Sequence, residues 1–182
     1  MPRETHHGAA PRACPMPVVL GVAALLTACT TGGVQAPSGT DTAAAPVPPP
    51  PPAACVLDAA ALATGTGLVW TPNALTASDT RCVYDAAGAD PLDFIGVDVA
   101  PFTGPAAAEL TALAGVCDDG SRSDVPAGEG AFVCRYKGGS VFSALVADGK
   151  VTTVVASAVP AGTTAERLAA TFTAELNRIG GR

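Results

Sequence analysis

The side chains in this sequence that could do chemistry are mostly carboxylates, and several of them lie between two cysteines. The acidic residues between Cys117 and Cys134 are Asp118, Asp119, Asp124 and Glu129. Two facing carboxyl groups could hydrolyse a glycosidic bond, and several in one loop could bind calcium. The spacing does not match an EF-hand, which needs acidic or amide residues at alternating positions before its glycine. We therefore predict a solvated loop closed by a disulfide bond, with a carboxylate-dependent glycan hydrolase as the alternative.

Other catalytic side chains are scarce. Histidine, the usual general base near neutral pH, occurs only at His6 and His7, in a segment that we expect to be removed. Lys137 and Lys150 are the lysines of the chain, and neither follows a serine by three positions. The Ser-x-x-Lys pattern of penicillin-binding enzymes is therefore absent. The sequence predicts no catalytic residue, no metal site and no cofactor.

The N-terminal segment has the organisation of a secretory signal. Arg3 and Arg12 give it a positive start, and an apolar stretch follows from residue 15 to residue 28. That stretch is shorter than the about 20 apolar residues that a membrane-spanning helix needs. A positive region, a short apolar region and a small residue at the end are typical of a cleaved signal peptide.

The end of this segment, Leu26-Thr27-Ala28-Cys29, resembles the lipobox of bacterial lipoproteins. The resemblance implies removal of residues 1–28 and attachment of a diacylglycerol to the sulfur of Cys29, which would then be the first residue. A plain secretory signal cut near Ala28 is the alternative. Two acyl chains make a durable anchor, whereas one chain binds a membrane only reversibly. We expect a protein anchored in the cell membrane through Cys29 and facing the extracytoplasmic side.

The cysteine count agrees with this processing. Of six cysteines, Cys14 leaves with the signal and Cys29 takes the lipid. The four that remain are Cys55, Cys82, Cys117 and Cys134. An even number in an exported domain indicates disulfide bonds, and we favour the two pairings that close short local loops, 55 with 82 and 117 with 134. The short spacing that zinc sites favour is missing.

Residues 29–54 form a predicted tether. This stretch holds Pro37, Pro46 and the run 48–52, and small or polar residues make up most of the rest. The proline run favours a stiff polyproline II segment, and its flanks are flexible by composition. At full extension the tether reaches on the order of 80 Å. We therefore expect it to hold the folded domain away from the membrane, with a proline-rich docking motif as the alternative.

Residues 55–182 are predicted to form one globular domain. Asp58 is the expected N-cap of a first helix that ends at Gly65. Pro105 is the expected first residue of a second helix, which stops at Gly115. Thr163 and Glu166 are expected to form a capping box for a third helix. Strands are predicted at 68–71, 81–85, 93–99, 132–137, 141–147 and 151–159, with hairpin turns at Gly138-Gly139 and Asp148-Gly149. The expected fold is α+β: helices packed on an antiparallel sheet of about six strands, in the order α-β-β-β-α-β-β-β-α.

The domain also resembles small envelope lipoproteins of actinobacteria, which include domains of unknown function, and extracellular sensor domains of mycobacterial membrane kinases. The resemblance rests on a cysteine just before Leu57-Asp58 and Leu62, on Cys82-Val83-Tyr84, and on the stretch 128–133, Gly-Glu-Gly-Ala-Phe-Val. It covers most of residues 55–179. These motifs are structural, so the resemblance implies no catalytic residue.

The function that these features predict is a non-enzymatic binding or accessory module of the cell envelope. Trp70, Tyr84 and Tyr136 are candidate ligand contacts, although packing in the core or over the disulfides is the alternative for each. The net charge of −6 would repel nucleic acids and anionic lipids, so the expected partner is a protein or a small envelope molecule. A glycan hydrolase and a purely structural envelope protein remain the alternatives.

Overall fold

A single antiparallel sheet lies at the centre of the computed structural model, which describes residues 49–137 and 139–181. Its strands are β1 (Trp70–Pro72), β2 (Arg81–Ala86), β3 (Phe94–Pro101), β4 (Ser123–Val125), β5 (Gly130–Tyr136), β6 (Ser140–Ala147) and β7 (Lys150–Ala156). Within the described residues the sheet has seven strands in the order β1-β2-β3-β7-β6-β5-β4. The predicted signal segment 1–28, Cys29 and most of the tether lie outside the described residues.

The predicted α+β class is confirmed, with one strand more than expected. The extra strand is β4, which pairs with β5 as Asp124↔Phe132 and Val125↔Ala131. It lies in the acidic segment that we predicted to be a solvated loop. Three residues are too few to show a period of two, and only Val125 of this strand is buried. Tertiary pairing with β5, rather than local sequence, therefore forms this strand.

Helix α1 (Ala59–Thr66) begins at the predicted cap. The Asp58 Oδ1 atom accepts hydrogen bonds from the backbone N–H groups of Ala60 at 2.8 Å and Ala61 at 3.0 Å, which lowers the pKa of that carboxyl. The predicted end at Gly65 is wrong, because the helix continues to Thr66 and Gly67 takes the left-handed conformation at φ +80°. Glycine adopts that conformation without steric cost.

The other two helices also shift slightly from their predicted limits. Helix α2 (Ala106–Leu113) has Pro105 as its N-cap rather than its first residue, and a short 3-10 turn, Ala114–Val116, follows it. The predicted Thr163 cap of α3 (Ala165–Gly180) is wrong: Thr164 is the N-cap, and its hydroxyl accepts from the Arg167 N–H at 3.2 Å. Thr163 lies one residue too early, and its buried hydroxyl has no partner.

The helices cover the two faces of the sheet unequally. Helices α1 and α3 pack against each other and on one face, where most of the buried apolar side chains form the main core. Helix α2 lies on the opposite face over β5 and β6, where Leu110, Phe132 and Val146 belong to a smaller buried cluster. Because α2 has only eight residues, this second layer covers only part of its face.

Within the sheet, the two halves of the chain join through one long-range strand pairing. Strands β1, β2 and β3 form one meander and β4 to β7 another, and β3 pairs with β7 from Ile95↔Ala156 to Pro101↔Lys150. The hairpin between β6 and β7 turns at Asp148 and Gly149, both with positive φ, as a two-residue hairpin of this hand requires. The predicted local hairpin is thus present, and the β3–β7 pairing completes the sheet.

Candidate functional site

The four cysteines form the two predicted disulfide bonds. Cys55 is bonded to Cys82 and Cys117 to Cys134, with Cα–Cα distances of 5.2 Å and 5.7 Å. The first bond attaches the segment before α1 to β2, and the second attaches the segment after the 3-10 turn to β5. Each therefore holds a segment outside the sheet against a strand. Disulfide bonds of this kind are typical of exported domains.

Trp70 and Tyr84 lie in the interior. Trp70 is 2% exposed and its Nε1–H donates to the Thr66 hydroxyl at 2.8 Å. Tyr84 is fully buried, and its hydroxyl accepts from the Leu57 N–H at 3.1 Å and donates to the Leu57 carbonyl at 3.2 Å. Burial raises the pKa of Tyr84 to about 12. Neither ring presents a surface to a ligand in this structure.

An ion pair between the buried Glu175 and the partly exposed Arg178 lies beside Tyr84, close to the residues that follow the predicted tether. The Glu175 side chain is 2% exposed and is paired with Arg178. Its Oε2 atom accepts from the Asp58 N–H at 2.8 Å, and Arg178 donates to the Val56 carbonyl. These contacts fix the first residues of the domain to α3, so this cluster has a structural use for each of its polar groups.

The acidic segment does not form a carboxylate pair around a cleft. Asp119, Asp124 and Glu129 are exposed and Asp118 is half-buried. Asp124 is held by Arg122, with a distance of 2.8 Å between Nη2 and Oδ1. In the part of the chain that the structure describes, no group of three or more His, Cys, Asp or Glu side chains is arranged to hold a metal ion. The exposure of these carboxylates gives no support to a hydrolase site in this segment.

The second face of the sheet carries a row of apolar residues that runs across four strands and is only half-buried, apart from the buried Gly96. Direct pairing joins Val83 to Gly96, Gly96 to Val155 and Val155 to Phe142, and paired residues place their side chains on the same face. Val83, Val155 and Phe142 are half-buried. Phe94, paired with Asp85 on β2, is also half-buried and extends the row. We call the surface formed by Val83, Phe94, Gly96, Val155 and Phe142 the open face.

Helix α2 leaves the open face partly uncovered. Val83, Phe94 and Val155 belong to neither buried cluster, whereas Phe142 packs at the edge of the α2 cluster. Tyr136 extends this edge, with its ring 6.3 Å from that of Phe142. Of the three sequence-predicted contact residues, Tyr136 is therefore the one that lies beside the open face.

Gly96 forms the floor of the open face. A Cβ atom at this position would lie 3.4 Å from the Val155 Cγ1 atom and 3.6 Å from the Phe94 Cε2 atom. Because those distances are ordinary van der Waals contacts, a Cβ atom alone would not clash. Gly96 is itself buried, so Val155 and Phe94 close over it and form the surface at this point.

Charged groups border the open face on both sides of the apolar row. On one side, Arg81 and Asp98 form an ion pair across strands, with 3.0 Å between Nη1 and Oδ1 and about half of each side chain exposed. Both residues line a depression of about 410 Å³, together with Thr153 and Val151. On the other side, beside Phe94, a depression of about 340 Å³ is lined by Asn73, Ala86, Ala89, Pro91 and the acidic residues Asp85, Asp90 and Asp93. The second depression has no lysine or arginine in its lining.

The edges of the sheet are poorly suited to pairing with another strand. The described edge strands β1 and β4 each have three residues. Pro72 ends β1 and Pro126 follows β4, and proline has no N–H to donate. Short edge strands that contain or adjoin proline discourage the addition of a further strand. A macromolecular partner would therefore have to contact a face of the domain.

A third depression, which has apolar walls, lies between α1 and α3. It has a volume of about 440 Å³ and is lined mainly by small side chains, including Ala61, Ala170 and Ala174. The Arg167 Nε atom donates to the Gly65 carbonyl across it at 3.0 Å. Since Arg167 is already engaged by the Gly65 carbonyl and most of the lining side chains are small, the open face, with its larger apolar side chains and charged border, is the stronger candidate for binding.

The sequence missed most of the open face, although a signal was present. Strands β3 and β7 carry apolar residues at both odd and even positions, as in Phe94-Ile95-Gly96-Val97 and Val154-Val155-Ala156. Continuous apolar strands are buried on both faces, whereas a half-exposed strand alternates. An apolar residue that would face solvent in an alternating strand is therefore a sign of a surface that is covered or used for binding.

None of the described helices is long and apolar enough to cross a membrane. No protein-family model matches the chain, and the comparisons with curated proteins and with solved structures likewise find no match.

Proposed function

We propose that this protein is a lipid-anchored, extracytoplasmic lipoprotein whose folded domain is a non-enzymatic binding module of the cell envelope. Two disulfide bonds support an oxidising compartment. The observation that carries the binding function is the open face, where half-buried apolar residues lie beside charged groups and α2 covers only the β5 and β6 side. Exposed apolar patches with a polar rim are typical of interaction sites.

The geometry favours binding over the two alternatives. A glycan hydrolase needs two carboxyl groups about 5 to 10 Å apart across a cleft, but Asp119, Asp124 and Glu129 are exposed and Asp124 is paired with Arg122. A purely structural role does not account for a contiguous row of half-buried apolar side chains, Val83, Phe94 and Val155, beside charged groups. We therefore infer that the open face contacts a partner.

Photo-crosslinking tests this function in cells that make the full chain. A photoreactive residue replacing Val155, on the open face, should give a discrete, saturable adduct. The matched control replaces Asn177, which is exposed on α3 and lies away from the open face. Equal adducts at the two positions, or none at either, would contradict a binding function for this surface and favour the structural alternative.

The anchor has its own test. Cys29→Ala should abolish incorporation of a labelled fatty acid and leave unprocessed precursor, because the sulfur of Cys29 is the proposed attachment point. Cys14→Ala, which changes the other N-terminal cysteine, should be labelled as in the wild type. Normal labelling of the Cys29→Ala variant would rule out the proposed anchor.

A further inference from the structure

The acidic depression and the apolar row are parts of one continuous surface. Asp85 on β2 is the direct cross-strand neighbour of Phe94 on β3, and such neighbours have Cβ atoms about 4.5 to 5.5 Å apart. The next pair along these strands is Val83 with Gly96. A partner residue that contacts Phe94 therefore lies within one side-chain length of the Asp85 carboxylate. Apolar contact and charge recognition can be made by the same short segment.

The charges at this corner are unbalanced. Asp85, Asp90 and Asp93 line the depression without a lysine or arginine. Asp85 accepts a hydrogen bond from the Asn73 amide, and Asp90 accepts one from the Leu92 N–H, so neutral donors orient both carboxylates. On the far side of the row, Arg81 is already paired with Asp98. The corner of the open face beside Phe94 thus presents net negative charge to an approaching partner, whereas Lys137 lies over the Tyr136 ring at the opposite edge.

We propose that the open face binds a cationic polypeptide segment, with aliphatic side chains of the partner covering Val83, Gly96 and Val155. A lysine or arginine of the same segment enters the depression lined by Asp85, Asp90 and Asp93. The partner class rests on the proposed binding function. A positive segment with apolar residues at helical or strand spacing supplies both kinds of contact, and opposite charge at the rim speeds association and excludes wrong partners.

Other occupants fit this surface less well. A second copy of the chain would bring the same carboxylates together and carries a net charge of −6 itself, which opposes face-to-face pairing. Anionic lipid and nucleic acid are repelled for the same reason. Addition of a strand is hindered at both described edges, because β1 ends at Pro72 and Pro126 follows β4. A neutral glycan can donate hydroxyl hydrogen bonds to the three carboxylates, but it carries no positive charge to balance theirs.

Binding of a designed peptide to the full lipid-anchored chain in zwitterionic nanodiscs tests the proposal. The probe is a fluorescent amphipathic peptide of leucine and lysine, compared with a matched peptide in which each lysine is replaced by glutamate, after subtraction of binding to empty nanodiscs. The lysine peptide should bind more tightly than the glutamate peptide, and its affinity should fall as salt is added. Equal affinity of the two peptides would overturn the proposal.

Variants assign the binding to the open face. Asp85→Asn combined with Asp93→Asn should weaken peptide binding about 10-fold. That loss is the one expected when two solvent-exposed ion pairs with the peptide are removed. The control pair, Asp119→Asn with Glu129→Gln, removes the same charge from exposed positions outside the face and should stay within about 2-fold of the wild type. Equal losses in the two pairs, or no loss in the first, would overturn the proposal.

A further variant tests the apolar floor without changing charge. Gly96→Gln adds a polar side chain to the apolar row, where its Cβ atom would contact Val155 and Phe94, and circular dichroism checks that the fold is intact. Peptide binding should fall about 10-fold, the loss of roughly one well-packed contact. Three results would each overturn the cationic partner. The first is unchanged peptide binding by this variant, and the second is a dimer of the wild type that Gly96→Gln dissociates. The third is saturable binding of a neutral glycan probe.

The outcomes for the partner class and for the proposed function are separable. Adducts from the Val155 position together with equal binding of the lysine and glutamate peptides would overturn the cationic partner and leave the binding function in place. Loss of site-specific adducts at Val155 would contradict the binding function itself.

Discussion

At the scale of single residues, the polar groups buried beside α3 define how the domain begins. Tyr84 bonds both backbone groups of Leu57, and Glu175 accepts from the Asp58 N–H while paired with Arg178. A buried donor or acceptor without a partner costs about 1 to 3 kcal/mol. It is therefore more important that each of these buried groups has a partner than that any single hydrogen bond is strong. They hold the residues that follow the tether against the core.

Tyr84 should make the domain sensitive to alkaline pH. Because its folded-state pKa is raised to about 12 from a usual value of 10, the unfolded chain loses this proton first. The stabilising contribution is complete below pH 10 and is lost as the pH rises from 10 towards 12. Urea unfolding of the wild type should show this decline.

Two variants identify the group responsible for the alkaline decline. Tyr84→Phe should be less stable at neutral pH, since the Leu57 N–H loses its buried partner, but its unfolding free energy should decline less between pH 10 and 12. Tyr136→Phe keeps Tyr84 and should retain the wild-type slope. An identical slope in wild type and Tyr84→Phe would contradict the assignment.

At the scale of elements, the two adjacent threonines at the start of α3 have different roles. Thr164 has extended backbone angles and its hydroxyl accepts from the Arg167 N–H, as an N-cap does. The Thr163 hydroxyl is buried without a partner. Sequence alone favours Thr163, because a capping box places a glutamate three residues after the cap, and Glu166 occupies that position.

Substitution of the two threonines should give opposite results. Thr164→Ala should lower the free energy of unfolding by about 1 kcal/mol, the usual cost of a lost N-cap. Thr163→Val should leave it unchanged or raise it, since an unpartnered buried hydroxyl is replaced by a methyl group of similar shape. Urea denaturation measures both. A larger loss for Thr163→Val than for Thr164→Ala would show that the cap has been misassigned.

At the scale of the whole molecule, two disulfide bonds and one long-range strand pairing hold the layers together. Cys55–Cys82 closes a separation of 27 residues and Cys117–Cys134 one of 17. Loops of these lengths predict about 3 kcal/mol of stabilisation from each bond in the chain-entropy model. The two bonds lie on opposite faces of the sheet, so each supports a different layer.

Removal of either bond should therefore cost a similar amount. The double variants Cys55→Ala with Cys82→Ala, and Cys117→Ala with Cys134→Ala, should each lose about 3 kcal/mol of unfolding free energy. Urea denaturation under oxidising conditions measures the loss, and addition of a reductant should bring the wild type below both variants. A variant pair as stable as the wild type would show that its bond does not constrain the unfolded chain.

Prediction from sequence succeeded for the helices and for the longer strands. Strands β2, β6 and β7 begin within one residue of their predicted first residues. Turn residues such as Asp148-Gly149 mark where such strands start and end. It missed β4, whose three residues have no recognisable period. It identified the Asp58 cap of α1 correctly but placed the other helix limits one or two residues from their true positions, since neighbouring threonines and glycines are equivalent in local sequence.

The candidate site was much less predictable. Trp70 and Tyr84, named for their ring chemistry, are buried in the core, whereas Val83, Phe94 and Gly96 were not singled out. Their proximity depends on the register of β2 with β3 and of β3 with β7, and neither register is written in a short motif. The unequal coverage by α2 then leaves these residues at the surface.

The sequence by itself determined the α+β class and the longer elements and favoured the cysteine pairing that the structure shows, because periodicity, turn residues and short loop closure act locally along the chain. Only the tertiary structure decided which strands lie side by side, how far α2 extends over the second face and which aromatic rings remain accessible. These depend on contacts between residues far apart in sequence. The open face exists because β3 pairs with β7 and α2 stops at Leu113, and both facts follow from packing of the whole domain.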